Sequence, residues 1–153
     1  MRIKFYKGKW NYINAETVSR QTNIYPPEDI ITKYYSLLKT GWMSIFDGYV
    51  NDGASFICID TDTVRPGAMW HDAGYEILRS GKLPDSTGKW RERFDDLLKE
   101  ICLEDGMCRP RAWWIHRVVR RGAGPAAHPR RRRKLRTAGK PTAKQLKENE
   151  GGK

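Results

Sequence analysis

Apolar residues recur at intervals of three and four in the middle of the chain, and that spacing predicts helices. Between 89 and 104, Trp90, Phe94, Leu97, Leu98, Ile101 and Cys102 fall on one stripe, as on a helix that buries a single face. Asp105-Gly106 stops it. A preceding helix is expected over 65–79, with Pro66 near its first turn and Gly81 as its cap. A third is expected over 110–121, with Trp113, Trp114, Val118 and Val119 turned to the core. The short polar link between the first two predicts antiparallel packing. The N-terminal pattern is shorter. Ile3 and Phe5 alternate with lysines, and Lys9 to Ile13 mixes aromatic and polar residues; each predicts a short strand. Tyr25-Pro26-Pro27 breaks the chain, and the prolines suit a helix start. Ile30, Ile31, Tyr34, Tyr35, Leu37 and Leu38 therefore read as a short helix ending near Gly41. Asp47 to Asp62 reads as loop and strand, with the β-prone run Phe56-Ile57-Cys58-Ile59. The fold class expected is α+β: small N-terminal strands and loops packed on an antiparallel helical pair plus a third helix.

From Gly122 onward there is no aromatic residue, and Gly, Pro, Ala, Lys and Arg dominate. Such a segment buries too little apolar area to offset its ordering entropy. The expected division is a compact domain over 1–122 and a flexible basic tail over 123–153. Charge follows the same division. Residues 109–153 hold 15 Lys/Arg against two Asp/Glu, a net +13, whereas residues 1–108 carry a net −2. A basic third speaks of partners, not of fold. Arg130, Arg131, Arg132, Arg133 and Lys134, with Arg120 and Arg121 on the third helix, are the candidate nucleic-acid contacts. An anionic membrane surface is a further option for the tail, although the tail has no aromatic side chain to insert.

Several classes are disfavoured. No stretch approaches 18 apolar residues, so no transmembrane segment is expected. The N-terminus lacks the apolar run of a signal peptide, which points to the host cytoplasm or a particle. Cys58, Cys102 and Cys108 are odd in number and form no C-x-x-C pair, so they read as reduced thiols. The three histidines, His71, His116 and His128, are too few and too scattered for a zinc hydrolase, and no glycine-rich phosphate loop is present. His116 reads as a surface or seam histidine.

The candidate chemistry lies at His71-Asp72-Ala-Gly-Tyr75. On a helix, His71 and Tyr75 share a face, and Asp72 lies ~100° round from them. Asp95 interrupts the next helix's apolar stripe between Phe94 and Leu98. A carboxylate there needs a partner, and His71 or Tyr75 across the seam is the obvious one. The pair has two readings: a dyad that takes a proton from water, or a hydrogen-bond network that pins two helices. Asp52 is open between a cation ligand beside Asp72 and a turn residue; Ser55 reads as a turn residue before a nucleophile.

The stretch Gly67-Ala-Met-Trp-His71-Asp72-Ala-Gly-Tyr75, followed by Arg93-Phe94-Asp95-Asp96-Leu97-Leu98, resembles the catalytic helices of secreted phospholipase A₂ and especially the phospholipase domain of parvovirus capsid proteins. The resemblance implies His71 as the base, Asp95 orienting it, Tyr75 as the motif tyrosine and Asp72 as a calcium ligand. A broader resemblance runs from Ile45 to Gly122. Gly48-Tyr-Val-Asn-Asp52-Gly-Ala-Ser55, then the His-Asp motif, then Val119-Arg120, is similar to a phage and prophage family known only as domain of unknown function 1353. It implies a phage origin and a small α+β domain. Asp47 to Gly53 is not the phospholipase calcium loop. The expectation is thus a phage-encoded accessory or virion-associated protein, non-enzymatic, meeting phage structural proteins or DNA through its basic region. The alternative is a metal-assisted lipid or ester hydrolase using the His71–Asp95 dyad, with calcium as the implied cation.

Overall fold

A computed structural model describes residues 5–7, 12–51 and 61–128, with backbone only for 5–7. The fold is α+β. Seven short strands and four helices follow in order: β1 (Phe5–Lys7), β2 (Tyr12–Asn14), β3 (Val18–Gln21), β4 (Ile30–Ile31), β5 (Tyr35–Leu37), β6 (Trp42–Ile45), β7 (Val50–Asn51), α1 (Arg65–Arg79), α2 (Lys89–Glu104), α3 (Arg109–Gly122) and α4 (Gly124–Ala127). The strands make two antiparallel sheets, ordered β1-β2-β7 and β3-β6-β5-β4. Asn14 joins them: its side-chain amide donates to the Phe46 carbonyl at 3.3 Å, and its backbone N–H donates to Tyr49 at 2.8 Å.

The segment expected as a short helix over 30–38 is instead a β-hairpin, with Ile30 opposite Leu37 and Ile31 opposite Ser36. Local turn chemistry decides it. The Thr32 Oγ1 accepts from the Tyr34 and Tyr35 amides at 3.3 and 3.0 Å and donates to the Tyr35 carbonyl at 2.7 Å. That turn folds the β-branched and aromatic flanks onto each other. Two strands, β3 and β6, had no period-two signal. Val18 is the only apolar residue of β3, and β6 is buried at Met43, Ser44 and Ile45 in succession. The β-prone run at 56–59 lies outside the described residues.

α1 is the centre of the molecule: eleven of its 15 residues are buried. The buried strand residues Tyr35, Leu37, Met43 and Ile45, with Tyr49 from the β6–β7 turn, belong to the same core. On its other side α1 meets α2. Gly67 faces Leu98 and Cys102, and Gly74 faces Phe94, so the contacts run in opposite directions along the two helices and the pair is antiparallel. α2 starts where Asp85 turns back: its two carboxylate oxygens accept from the Trp90 and Arg91 amides at 2.9 and 2.8 Å. These are first-turn donors with no partner inside the helix.

Two expectations about the third helix change. α3 buries Ala112, Ile115 and Val119, whereas Trp113 and Trp114 are 53% and 49% exposed. Val118 is half-buried. Ala112, Ile115 and Val119 define the buried face of α3, and the helix period places Trp113 and Trp114 outside it. Past Gly122 the chain continues as α4, which packs on α1, buries Ala127, and takes a 3.0 Å hydrogen bond from Arg79 to the Ala126 carbonyl. The described residues end at His128, and the rest of the tail lies outside them.

The close approach of α1 to α2 generates a prediction. A Cβ on Gly74 would overlap the Phe94 ring. Ala is the better helix former, yet Gly74→Ala is expected to lower stability in urea denaturation by roughly 1–3 kcal/mol, the cost of overpacking a tight core.

Candidate active site

α1 and α2 place His71, Tyr75 and Asp95 at one point of their seam. His71 Nε2 lies 3.0 Å from Asp95 Oδ1. One turn along, the Tyr75 hydroxyl donates to the same oxygen at 2.8 Å. The imidazole and phenol rings lean together, with centroids 4.0 Å apart. Asp95 is completely buried and the His71 side chain is 9% exposed. The i, i+4 spacing read from the sequence is what lets one carboxylate oxygen receive both donors.

A third partner comes from α3, and sequence reasoning assigned it elsewhere. Arg120 Nε stands 3.2 Å from Asp95 Oδ2. The angle is poor for a hydrogen bond, since neither atom has a hydrogen-bond partner, so the contact is an ion pair. The rest of the guanidinium points at α2's outer acids: Nη1 to Glu92 at 3.0 Å and Nη2 to Asp96 at 2.9 Å. Asp96 also meets His116 Nε2 at 2.8 Å. The signal was present as a pattern of two helices: Glu92, Asp95 and Asp96 lie at i, i+3 and i+4, and His116 and Arg120 at i and i+4. Arg120, expected at a phosphate, is therefore committed to three carboxylates. Arg121 is exposed, and Arg130 to Lys134 lie outside the described residues.

An ionised Asp95 sets the proton positions. Oδ1 accepts from Tyr75, and it takes a second hydrogen bond from His71 in the tautomer that carries its proton on Nε2. The neutral imidazole then holds its lone pair on Nδ1. Nδ1 has no hydrogen-bond partner among the described residues. Burial, the Asp95 charge and the hydrogen bond to it all push the Tyr75 hydroxyl far above its ordinary value. Tyr75 is thus a fixed donor at working pH, not a proton-transfer group.

Asp72 lies ~100° round α1 from His71, away from the contact with Asp95 and within electrostatic reach of Tyr49. It is half-buried, and with Glu76 it pushes the Tyr49 hydroxyl up, an effect secondary to that phenol's complete burial. No group of three or more His, Cys, Asp or Glu side chains converges among the described residues, and Asp52 and Ser55 lie outside them. The described residues do not by themselves assemble a calcium cage at Asp72, so the chemistry below is derived from the protein's own side chains.

No family model, curated protein or solved structure matches this chain. No helix among the described residues is long and apolar enough to cross a membrane.

Two outcomes follow from this geometry. Arg120→Gln leaves the buried Asp95 without its cation and is expected to cost roughly 3–5 kcal/mol, as for a broken buried pair. Arg121→Gln, at an exposed position, should stay within about 0.5 kcal/mol of the parent in the same urea titration. The second outcome concerns alkaline pH. Tyr35, pushed up to about 12 mainly by burial, and Tyr49 and Tyr75, both pushed well above the ordinary tyrosine value mainly by burial, are held protonated by the fold. A raised folded-state value contributes stability that is complete below the unfolded tyrosine value of 10.0 and is lost as pH climbs above it. Melting temperature should therefore fall steadily above that pH, and Tyr75→Phe should make the fall shallower.

Proposed function

We propose that the α1–α2 seam is a general-base site for ester hydrolysis, of the phospholipase A₂-like kind. The observation that carries the reading is the convergence on one oxygen: the Tyr75 hydroxyl and His71 Nε2 lie 2.8 and 3.0 Å from Asp95 Oδ1, and Nδ1, with no hydrogen-bond partner among the described residues, is the side of the ring left for water. In this scheme Nδ1 removes a proton from a water molecule as its oxygen bonds to the ester carbonyl carbon. The imidazolium is stabilised by the Asp95 carboxylate behind it. When the carbon–oxygen ester bond breaks, the same proton passes to the departing alkoxide. Tyr75 takes no part in proton transfer and holds the carboxylate in place. A divalent cation at Asp72 would add polarisation of the carbonyl oxygen.

A second reading is favoured by one contact, that of Arg120 with Asp95. A carboxylate already paired to a guanidinium is what a structural knot would use. On this reading the protein is a phage-encoded accessory or virion-associated protein without catalysis, and its basic C-terminal region, Arg121, Arg130, Arg131, Arg132, Arg133 and Lys134, meets other phage proteins or DNA.

The two readings separate in one assay. The full chain is offered mixed phospholipids and aryl esters, with calcium and with chelator. The hydrolytic reading expects turnover that His71→Gln lowers by roughly 10²–10⁴-fold, with the melting temperature nearly unchanged, because a Gln amide can still donate to Asp95. A wild-type chain that turns over none of the panel, or a His71→Gln chain as active as its parent, sinks the hydrolytic reading and leaves the knot.

A further inference from the structure

The outer face of α3 carries a combination that neither the core nor the dyad uses. Trp113 and Trp114 are two of the few large hydrophobic side chains exposed among the described residues. From the helix period of ~100° per residue, the two indoles bracket an arc in which Arg117 and Arg121 lie. Both arginines are exposed. The Arg117 guanidinium sits over the Trp113 ring, 5.2 Å from its centroid. α3 contains no acidic residue at all, and Arg109 extends the basic face by one turn toward the N-terminus. Burying indole surface in the core is worth more than leaving it in water, so two adjacent solvent-facing tryptophans call for an explanation.

We propose that this face docks on an anionic lipid bilayer. Indoles belong at the boundary between headgroups and acyl chains, where the ring is buried and the N–H stays wet. Arginines between them meet lipid phosphates, and their stems extend along the same boundary. The charge fits, because the C-terminal third, which begins with this helix, carries +13. A single strand of nucleic acid fits less well. Stacking needs an open ring face within a basic groove, but Arg117 already covers Trp113, and the face is the outside of one helix. The stretch between Trp113 and Arg121 also has no Asn, Gln, Ser or Thr to meet base edges. The docking does not depend on whether the seam hydrolyses anything.

The test uses the full-length chain, with phosphatidylcholine vesicles with and without phosphatidylglycerol, and labelled single-stranded and duplex DNA in the same buffer. The parent should sediment with the anionic vesicles only, and lipids brominated near the headgroup should quench part of its tryptophan emission. Trp113→Ala/Trp114→Ala removes exposed side chains and should fold normally by circular dichroism. Its partition onto anionic vesicles should fall by about tenfold or more, and the quenched component should disappear. Arg117→Gln/Arg121→Gln should weaken binding and reduce its salt dependence. Vesicle binding that persists unchanged in the tryptophan variant would assign it to the tail and overturn the proposal. So would vesicles that fail to bind at all, and so would DNA retention that alone depends on the two tryptophans.

Discussion

A carboxylate with no exposed surface, Asp95 in the middle of α2, is the constraint around which the helical half is arranged. An unpaired ion in that position would cost several kcal/mol. The structure answers with three partners from two other helices. Tyr75 and His71 come from α1, and Arg120 from α3. Each helix is thereby fixed in rotation as well as in distance, because a turn of either by one residue would carry its partner group ~100° away. The apolar contacts supply most of the burial. The carboxylate supplies the register.

That register is possible only because α1 has no side chain where α2 crosses it. Gly67 and Gly74 lie two turns apart on the same face, and Phe94, Leu98 and Cys102 press into the space. The seam residues between them, His71 on α1 and Asp95 on α2, are then close enough for a 3.0 Å contact. Close packing and polar chemistry are here one device. A wider helix pair would admit water to Asp95 and loosen the imidazole.

Much of the helical half was legible in the sequence, because its signals are local. The periodicity of Phe94, Leu97, Leu98 and Ile101, the proline at 66 and the Gly81 and Asp105-Gly106 stops delimit α1 and α2 as observed. The pairing of His71 with Asp95 was legible too, since a charged residue inside an apolar stripe demands a partner. What was hidden depends on long-range context. Ile30 to Leu38 is apolar enough for either structure, and the Thr32 turn decides it. Trp113 and Trp114 were assigned inward on hydrophobicity alone, yet the face that α3 buries is set by Ala112, Ile115 and Val119, and both indoles lie outside it. Arg120 was grouped with the basic tail because its charge was counted before its helical phase.

The remaining question in the site is whether Arg120 disarms the dyad by neutralising Asp95, and the geometry weighs against it. The two hydrogen-bonding ends of the guanidinium are spent on Glu92 and Asp96, at 3.0 and 2.9 Å, and only Nε faces Asp95, side-on. One cation therefore stands against three carboxylates. Glu92 and Asp96 are both 57% exposed and partly screened by solvent, but they still draw the positive charge outward. Asp95 keeps Oδ1 wholly for His71 and Tyr75. An imidazolium forming at His71 would meet a carboxylate at 3.0 Å, with the arginine behind that carboxylate on its far oxygen. Coulomb attraction falls with distance, so the near carboxylate outweighs the more remote guanidinium. The same ion pair therefore locks α3 to α2 without taking Oδ1 from His71 and Tyr75.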